Sequence, residues 1–287
     1  LHDWSISSPA AGIHRGRPSV VCPDASLDLN YSIAFSDDCF VLSFGNVATF
    51  HVSFQTRMIE LIAASSEDPV TADHLLYDHV IPRLLATEAP LVLHASLVRM
   101  GDRLAAFIGP TGAGKSTLGA SLNAAGFALL GDDAVIVTEP DGTFWGEAVY
   151  PSLRLYPDSI ESVLGADTGT SPMAHYSDKR HVTDFGHAPV SPGPMPLGAI
   201  FAVAGGSDAP HARALSVREA CMAMIDQSFA LDPKDVQASA ERMQVAARLA
   251  SAIPGFALNI PHDYTRLPDV HALIAQCMDK AQAGHPQ

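Results

Sequence analysis

Residues 109 to 117 read Gly109-Pro110-Thr111-Gly112-Ala113-Gly114-Lys115-Ser116-Thr117, which fits G-x-x-x-x-G-K-[ST]. This run constrains the fold more than any bulk property, because it demands a setting of buried strand, glycine turn and helix. Both flanks supply it. Leu104-Ala105-Ala106-Phe107-Ile108 is short and wholly apolar, as a buried strand is, and residues 117–125 put Leu118, Leu122 and Ala125 on one helical face. With no Cβ at its glycines, such a loop can turn backbone N–H groups inward onto phosphate oxygens. The helix that follows adds the positive end of its dipole. The pattern predicts a nucleoside triphosphate and Mg²⁺ site running from Gly109 to Thr117. Lys115 would reach the β- and γ-phosphates, and the Ser116 hydroxyl would ligate the metal.

Charge narrows the partners. The 287 residues carry a formal net charge of −14 and no basic run. That argues against a nucleic-acid or anionic-membrane partner, since both are bound by surplus Lys and Arg. An apolar share of 47% is enough for a sizeable core. Cys22, Cys39, Cys221 and Cys277 are far apart and form no C-x-x-C pair, so they read as free thiols in a reducing compartment. No apolar run is long enough to span a membrane. Leu1-His2-Asp3-Trp4 does not resemble a signal peptide, and the lack of an initiator Met suggests a trimmed upstream segment. With ATP as ligand, the expected location is the cytoplasm.

Along the chain, residues 1 to 66 alternate as β-strands do, at 27–33, 39–44 and 48–54. Residues 71–86 form an amphipathic pattern capped by Thr71 or Asp73. Together they make an N-terminal β-rich lobe with one helix, 1–87. The remainder, 88–287, reads as a nucleotide-binding domain. Strands are expected at 91–98, 126–130, 134–138, around 153–155, at 198–204 and at 256–260, and helices at 157–164, 216–229, 233–253 and 265–283. Met222 and Met224 read as core. Residues 165–196 are rich in Gly, Ser, Thr, Pro and His with little periodicity, which predicts a structureless lid.

Within this frame a few residues could carry chemistry. Asp132 and Asp133 end a strand just after the loop helix, where ligand sites form in α/β sheets. A carboxylate there can hold Mg²⁺ or take the proton of an incoming hydroxyl. His94 sits on the strand preceding the loop strand and could bond Asp132 and tune its basicity. Arg154 interrupts an apolar stretch, and Lys179 lies in the lid. Either could neutralise a transferring phosphoryl group, or simply be a solvated cation. His175, His181 and His187 have no metal-like spacing and read as surface groups.

The Leu-His-Ala-Ser strand at 93–96, the loop at 109–117, the Gly-Phe strand into Asp132-Asp133 and Leu153-Arg154-Leu155 together resemble the C-terminal domain of HPr kinase/phosphorylase. They also resemble its smaller relatives, among them kinases of lasso-peptide precursors. The resemblance covers residues 88 to 205 well and the helical C-terminal part loosely. It implies an α/β P-loop kinase core similar to HPr kinase and PEP carboxykinase, with the β-rich N-terminal lobe added. It further implies Asp132 as general base, Asp133 as its support or a metal ligand, His94 as the contact of Asp132, and Lys179 as a lid lysine. The metal-binding Glu of full-length HPr kinases has no counterpart in Pro151-Ser152-Leu153-Arg154-Leu155. That points away from phosphorylase activity and from HPr, and toward a serine of a precursor peptide or small protein. The relatives are often oligomeric, so a homo-oligomer is expected. Two other readings stay open: a nucleotide-gated peptide-binding protein without transfer, and a kinase of a small molecule such as free serine or a sugar.

Overall fold

A computed structural model describes residues 4–7, 20–23, 30–36, 38–45, 47–64, 69–183 and 193–283. The chain divides into two compact units, Leu1–Ile81 with Pro172–Asp178, and Pro82–Ser171 with Lys179–Gln287.

The first unit holds β1 (Ser5–Ser7), β2 (Val20–Pro23), β3 (Asn30–Ser36), β4 (Cys39–Phe44), β5 (Ala48–Ser53) and β6 (Met58–Ala64) in one sheet of order β1-β6-β5-β4-β3-β2. Period-2 alternation sends Phe40, Leu42, Phe44, Phe50 and Val52 to a single buried face. A helical run follows as α1 (Pro69–Leu75), a π turn at Leu76–Val80, and α2 (Ile81–Glu88), which from Pro82 onward belongs to the second unit. Pro82 has no N–H to give the turn below it, and the ladder widens there. The helix starts at Pro69, two residues ahead of the expected cap. Thr71 is therefore interior, and its hydroxyl accepts the His175 N–H at 2.9 Å.

The second unit is a mixed α/β body. Its elements are β7 (Val92–Leu93), β8 (Ala95–Met100), β9 (Arg103–Ile108), α3 (Lys115–Ala124), β10 (Ala128–Asp132), β11 (Val135–Thr138), β12 (Trp145–Ala148), β13 (Arg154–Leu155) and α4 (Pro157–Val163). After the pair β14 (Thr170–Ala174) and β15 (Ser177–Val182), of which Pro172–Asp178 belong to the first unit, come β16 (Met195–Gly205), β17 (His211–Ala214), α5 (Val217–Asp226), α6 (Val236–Ala252), β18 (Gly255–Ile260) and α7 (Leu267–Ala283). The main sheet runs β10-β8-β9-β16-β18-β17, with β9, β16 and β18 mutually parallel and β8 antiparallel to both its neighbours. β12, β11 and β7 continue from the first residues of β16.

Strand alternation splits this body into three layers. Phe107, Phe201 and Val203 point to one face, where Leu118 and Leu122 of α3 and Val270 and Ile274 of α7 cover them. Ala106, Ile108 and Ile200 point to the other, under Met224 of α5 and Leu249 of α6. β9 and β16 are buried on both faces, which is why they read as continuous apolar runs.

Some expectations are corrected. Residues 170–182 are not structureless: β14 and β15 form a three-stranded sheet with β13, while 184–192 of the expected lid lie outside the described residues. Met224 is buried but Met222 is 44% exposed, because only one of the pair lies on the inner stripe of α5. Among the described residues no helix is long and apolar enough to cross a membrane.

Candidate functional site

β9 delivers the chain at Ile108 into the glycine loop, and α3 starts at Lys115. Two glycines are dictated by packing as well as backbone. Gly109 has φ +150°, and a Cβ there would lie 2.5 Å from the Val203 carbonyl oxygen; Gly114 has φ +95°, with the Ile260 Cδ1 at 2.7 Å from such an atom. Ile260 can turn its side chain away, but the β16 backbone cannot. Gly109→Ala should therefore cost about 1–3 kcal/mol by overpacking, and more than Gly114→Ala loses through sterics alone. Urea denaturation of the two variants checks the order.

Lys115 is buried, and its Nζ donates to the carbonyls of Gly109 (2.7 Å) and Pro110 (3.3 Å). The ammonium thus sits inside the turn of the loop. Burial pushes its pKa down, against the pull of Asp132 and then Asp133; Lys179 lowers it further.

The acid pair comes to this loop through sheet register. β8 lies between β9 and β10, so Asp132 at the end of β10 falls opposite Ser96 and close to the first turn of α3. The Ser96 hydroxyl donates to Asp132 Oδ1, and the Ser116 hydroxyl also favours the charged carboxylate. Asp132 is 3% exposed, and its Oδ2 is buried without a hydrogen-bond partner among the described residues. Burial first, and the neighbouring Asp133 charge second, push its pKa up; Ser116, Ser96 and Lys115 only partly offset them.

Asp133 is in a different state. Its φ of +104° is uncommon for a residue with a side chain and marks local backbone strain. Its N–H donates to the Ala95 carbonyl at 3.0 Å, and its Oδ2 takes the Ser152 hydroxyl at 3.0 Å and an ion pair with Arg154. His94 Nε2 lies 3.7 Å from its Oδ1. Burial alone would raise this carboxyl, but Arg154 and then His94 hold it well below the usual carboxylate range.

The structure therefore brings together the loop, Lys115, Ser116, Asp132, Asp133 and His94, with different partnerships from those expected. His94 meets Asp133 rather than Asp132. Arg154 is not open to phosphate: it is 4% exposed and serves as counter-ion to Asp133. Lys179 lies with its Nζ 5.4 Å from the Tyr156 ring and acts electrostatically on Lys115. His181 is not a simple surface group either. It is paired across the ladder with Arg154, half-buried, and its pKa is pushed down by burial and then by that guanidinium. His175 bonds Thr71, and His187 lies outside the described residues. Ser96 and Ser152 were not foreseen. For Ser96 the available signal is its place two residues from His94 in the run Leu93-His94-Ala95-Ser96, whose alternation would put both on one side of an extended chain.

The donor set of Asp132 and Ser116 is hard oxygen, and a buried Asp132 Oδ2 with no hydrogen-bond partner among the described residues fits a small divalent cation. Among the described residues no group of three or more His, Cys, Asp or Glu could hold a metal by itself. A cation here would complete its shell with phosphate and water.

No protein-family model matches the chain, and no curated protein matches it. Among solved structures, the HPr(Ser) kinase/phosphatase from Coxiella burnetii matches at 10% identity with a TM-score of 0.35, over 67% of this chain and 97% of that one.

Proposed function

We propose that this chain is an ATP-dependent phosphotransferase that passes the γ-phosphoryl group to a hydroxyl, with a serine of a precursor peptide or small protein as the acceptor. One observation carries the reading. The carboxylate at the end of β10 meets Ser116 at the start of the loop helix, with the Lys115 ammonium held in the same loop. Fixed negative, positive and hydroxyl groups thus converge where a triphosphate tail would end.

The backbone amides of 109–117 would cradle the phosphates, and Lys115 would exchange its loop carbonyls for phosphate oxygens. Mg²⁺, held by Asp132 and Ser116, would neutralise charge on the β- and γ-oxygens. Asp133 is the more accessible of the pair, its side chain 15% exposed, and its charge is locked by Arg154 and His94. It would accept a hydrogen bond from the acceptor hydroxyl and aim it. A carboxylate with so low a pKa is a weak base, but phosphoryl transfer asks mainly for positioning. This assignment exchanges the roles that the resemblance implied for the two aspartates.

The test is incubation with γ-labelled ATP and a panel of seryl peptides, free serine and a sugar, with Lys115→Ala as control. Label on peptide supports the proposal. Label on a small molecule keeps the chemistry and moves the acceptor. Nucleotide binding without transfer to any acceptor would reject the phosphotransferase reading.

A further inference from the structure

The acid pair lies on one side of the glycine loop, toward β8 and β10. The other side, toward β16 and β18, is built just as closely and has been given no role. Ile260, the last residue of β18, packs its Cδ1 where a Cβ of Gly114 would be. Four residues on, Tyr264 reaches the same loop by a hydrogen-bonded chain. Its hydroxyl donates to Asp158 Oδ2 (2.8 Å), so Ser159 donates to Tyr264 (3.0 Å), and Thr117 donates to Ser159 (3.3 Å). Each hydroxyl has a single proton, so the direction of the chain is settled by the carboxylate at its end. Residues 260–264 therefore border the loop from Gly114 to Thr117.

His262 sits in the middle of this run. A Cβ at Gly205 would lie 2.9 Å from His262 Cε1, and one at Gly206 3.6 Å from Nε2, so the imidazole lies against the bare backbone at the carboxyl end of β16. Both glycines and the histidine are otherwise exposed. The run is held on either side of the ring: Gly206 N–H donates to the Ile260 carbonyl (3.1 Å), and Asp263 caps the following turn by accepting from the Thr265 N–H (2.9 Å). An aromatic ring thus lies against two glycines, on a backbone run held at both ends, at the carboxyl ends of parallel strands, where α/β sheets place ligands.

Resting on the phosphate-binding role proposed for the loop, we infer that the His262 imidazole, backed by Gly205 and Gly206, is the stacking platform for the heterocyclic base of the nucleotide. The polarity of the loop argues for it. The γ-phosphate points to Lys115 and the aspartates, so the nucleoside leaves at the Ser116–Thr117 end, and Thr117 is the residue tied to the 260–264 run. A purine offers two rings to the imidazole and so the larger stacked area.

The experiment compares binding of ADP and of inorganic pyrophosphate, by calorimetry, to the full chain and to His262→Ala and His262→Phe. Base–aromatic stacking of this kind predicts about ten-fold weaker ADP binding for His262→Ala, with recovery in His262→Phe. Pyrophosphate, which has no base, should bind all three alike. Unchanged ADP affinity in His262→Ala overturns the inference. So does an equal loss for ADP and pyrophosphate, which would mean that the residue shapes the loop instead. If the unaltered chain binds neither probe, the phosphate-site reading fails first, and the base platform falls with it.

Discussion

Asp132→Asn is expected to lower phosphoryl transfer by roughly a hundred- to a thousand-fold, the usual cost of removing one group aimed at transition-state charge. The same variant should melt at a higher temperature than the parent protein at pH 8 without metal or nucleotide. Both effects have one cause. The carboxylate is buried at 3% exposure beside Asp133, and its folded-state pKa is raised above the ordinary value. Below the ordinary value the group is protonated folded and unfolded, and its ionisation costs nothing. As pH rises through the raised folded value, only the folded protein must hold an unfavourable charge, and stability falls. Asparagine keeps an acceptor for Ser96 and carries no charge, so the gain should be present at pH 8 and gone near pH 4. Melting curves across that range, with transfer assays on the same samples, test the pair of effects. A variant that loses activity but is less stable at every pH would show that Asp132 is there for folding.

Much of this site could be read from the chain because its signals are local. The glycine run, the apolar strand before it and the helix stripe after it are contiguous, and Asp132-Asp133 follow a short apolar strand. Partnerships are another matter, since they depend on register between strands. β10 carries a bulge between Leu129 and Gly131, which moves its pairing with β8 by one residue. Without that shift Asp132 would sit opposite Ala95. With it Asp132 faces Ser96, and Asp133 takes the Ala95 carbonyl and comes within reach of His94. A slip of one residue exchanges what each side chain meets, and nothing in the local pattern records it. The hairpin of β14 and β15 was hidden for a different reason. Thr170-Ser171-Pro172 and Ser177-Asp178-Lys179-Arg180 are polar, and a proline argues against a strand, so period-2 hydrophobicity is absent where the backbone is nonetheless extended. Arg154 was misjudged for want of the same information. That it interrupts an apolar stretch was legible, but its burial was not, since its counter-ion lies 21 positions back in the chain.

That counter-ion yields the largest stability effect. Asp133→Asn should cost about 3–5 kcal/mol, the range for breaking a buried ion pair by removing one partner. Arg154 is 4% exposed on β13 and, with the Asp133 charge removed, would keep a buried cation whose carboxylate counter-ion is gone, beside half-buried His181. Arg154→Met should also destabilise, since it leaves Asp133 charged and next to Asp132. The double variant should recover more than half of the combined loss, because both charges of the pair are then removed together. The pH dependence has the opposite sign from that of Asp132. The Asp133 carboxyl is held well below its ordinary value, so its contribution is complete above about pH 4 and is lost as pH falls through the folded value. The gap between parent and Asp133→Asn should therefore narrow in stronger acid, and it should shrink somewhat toward pH 8 as well, because only in the parent does the Asp133 charge oppose ionisation of Asp132. Urea titrations of the four proteins at pH 3 and 7 measure both. Single losses that simply add in the double variant would show that the two groups do not sense each other, and would remove the argument that Arg154 is what keeps the acceptor-side carboxylate charged.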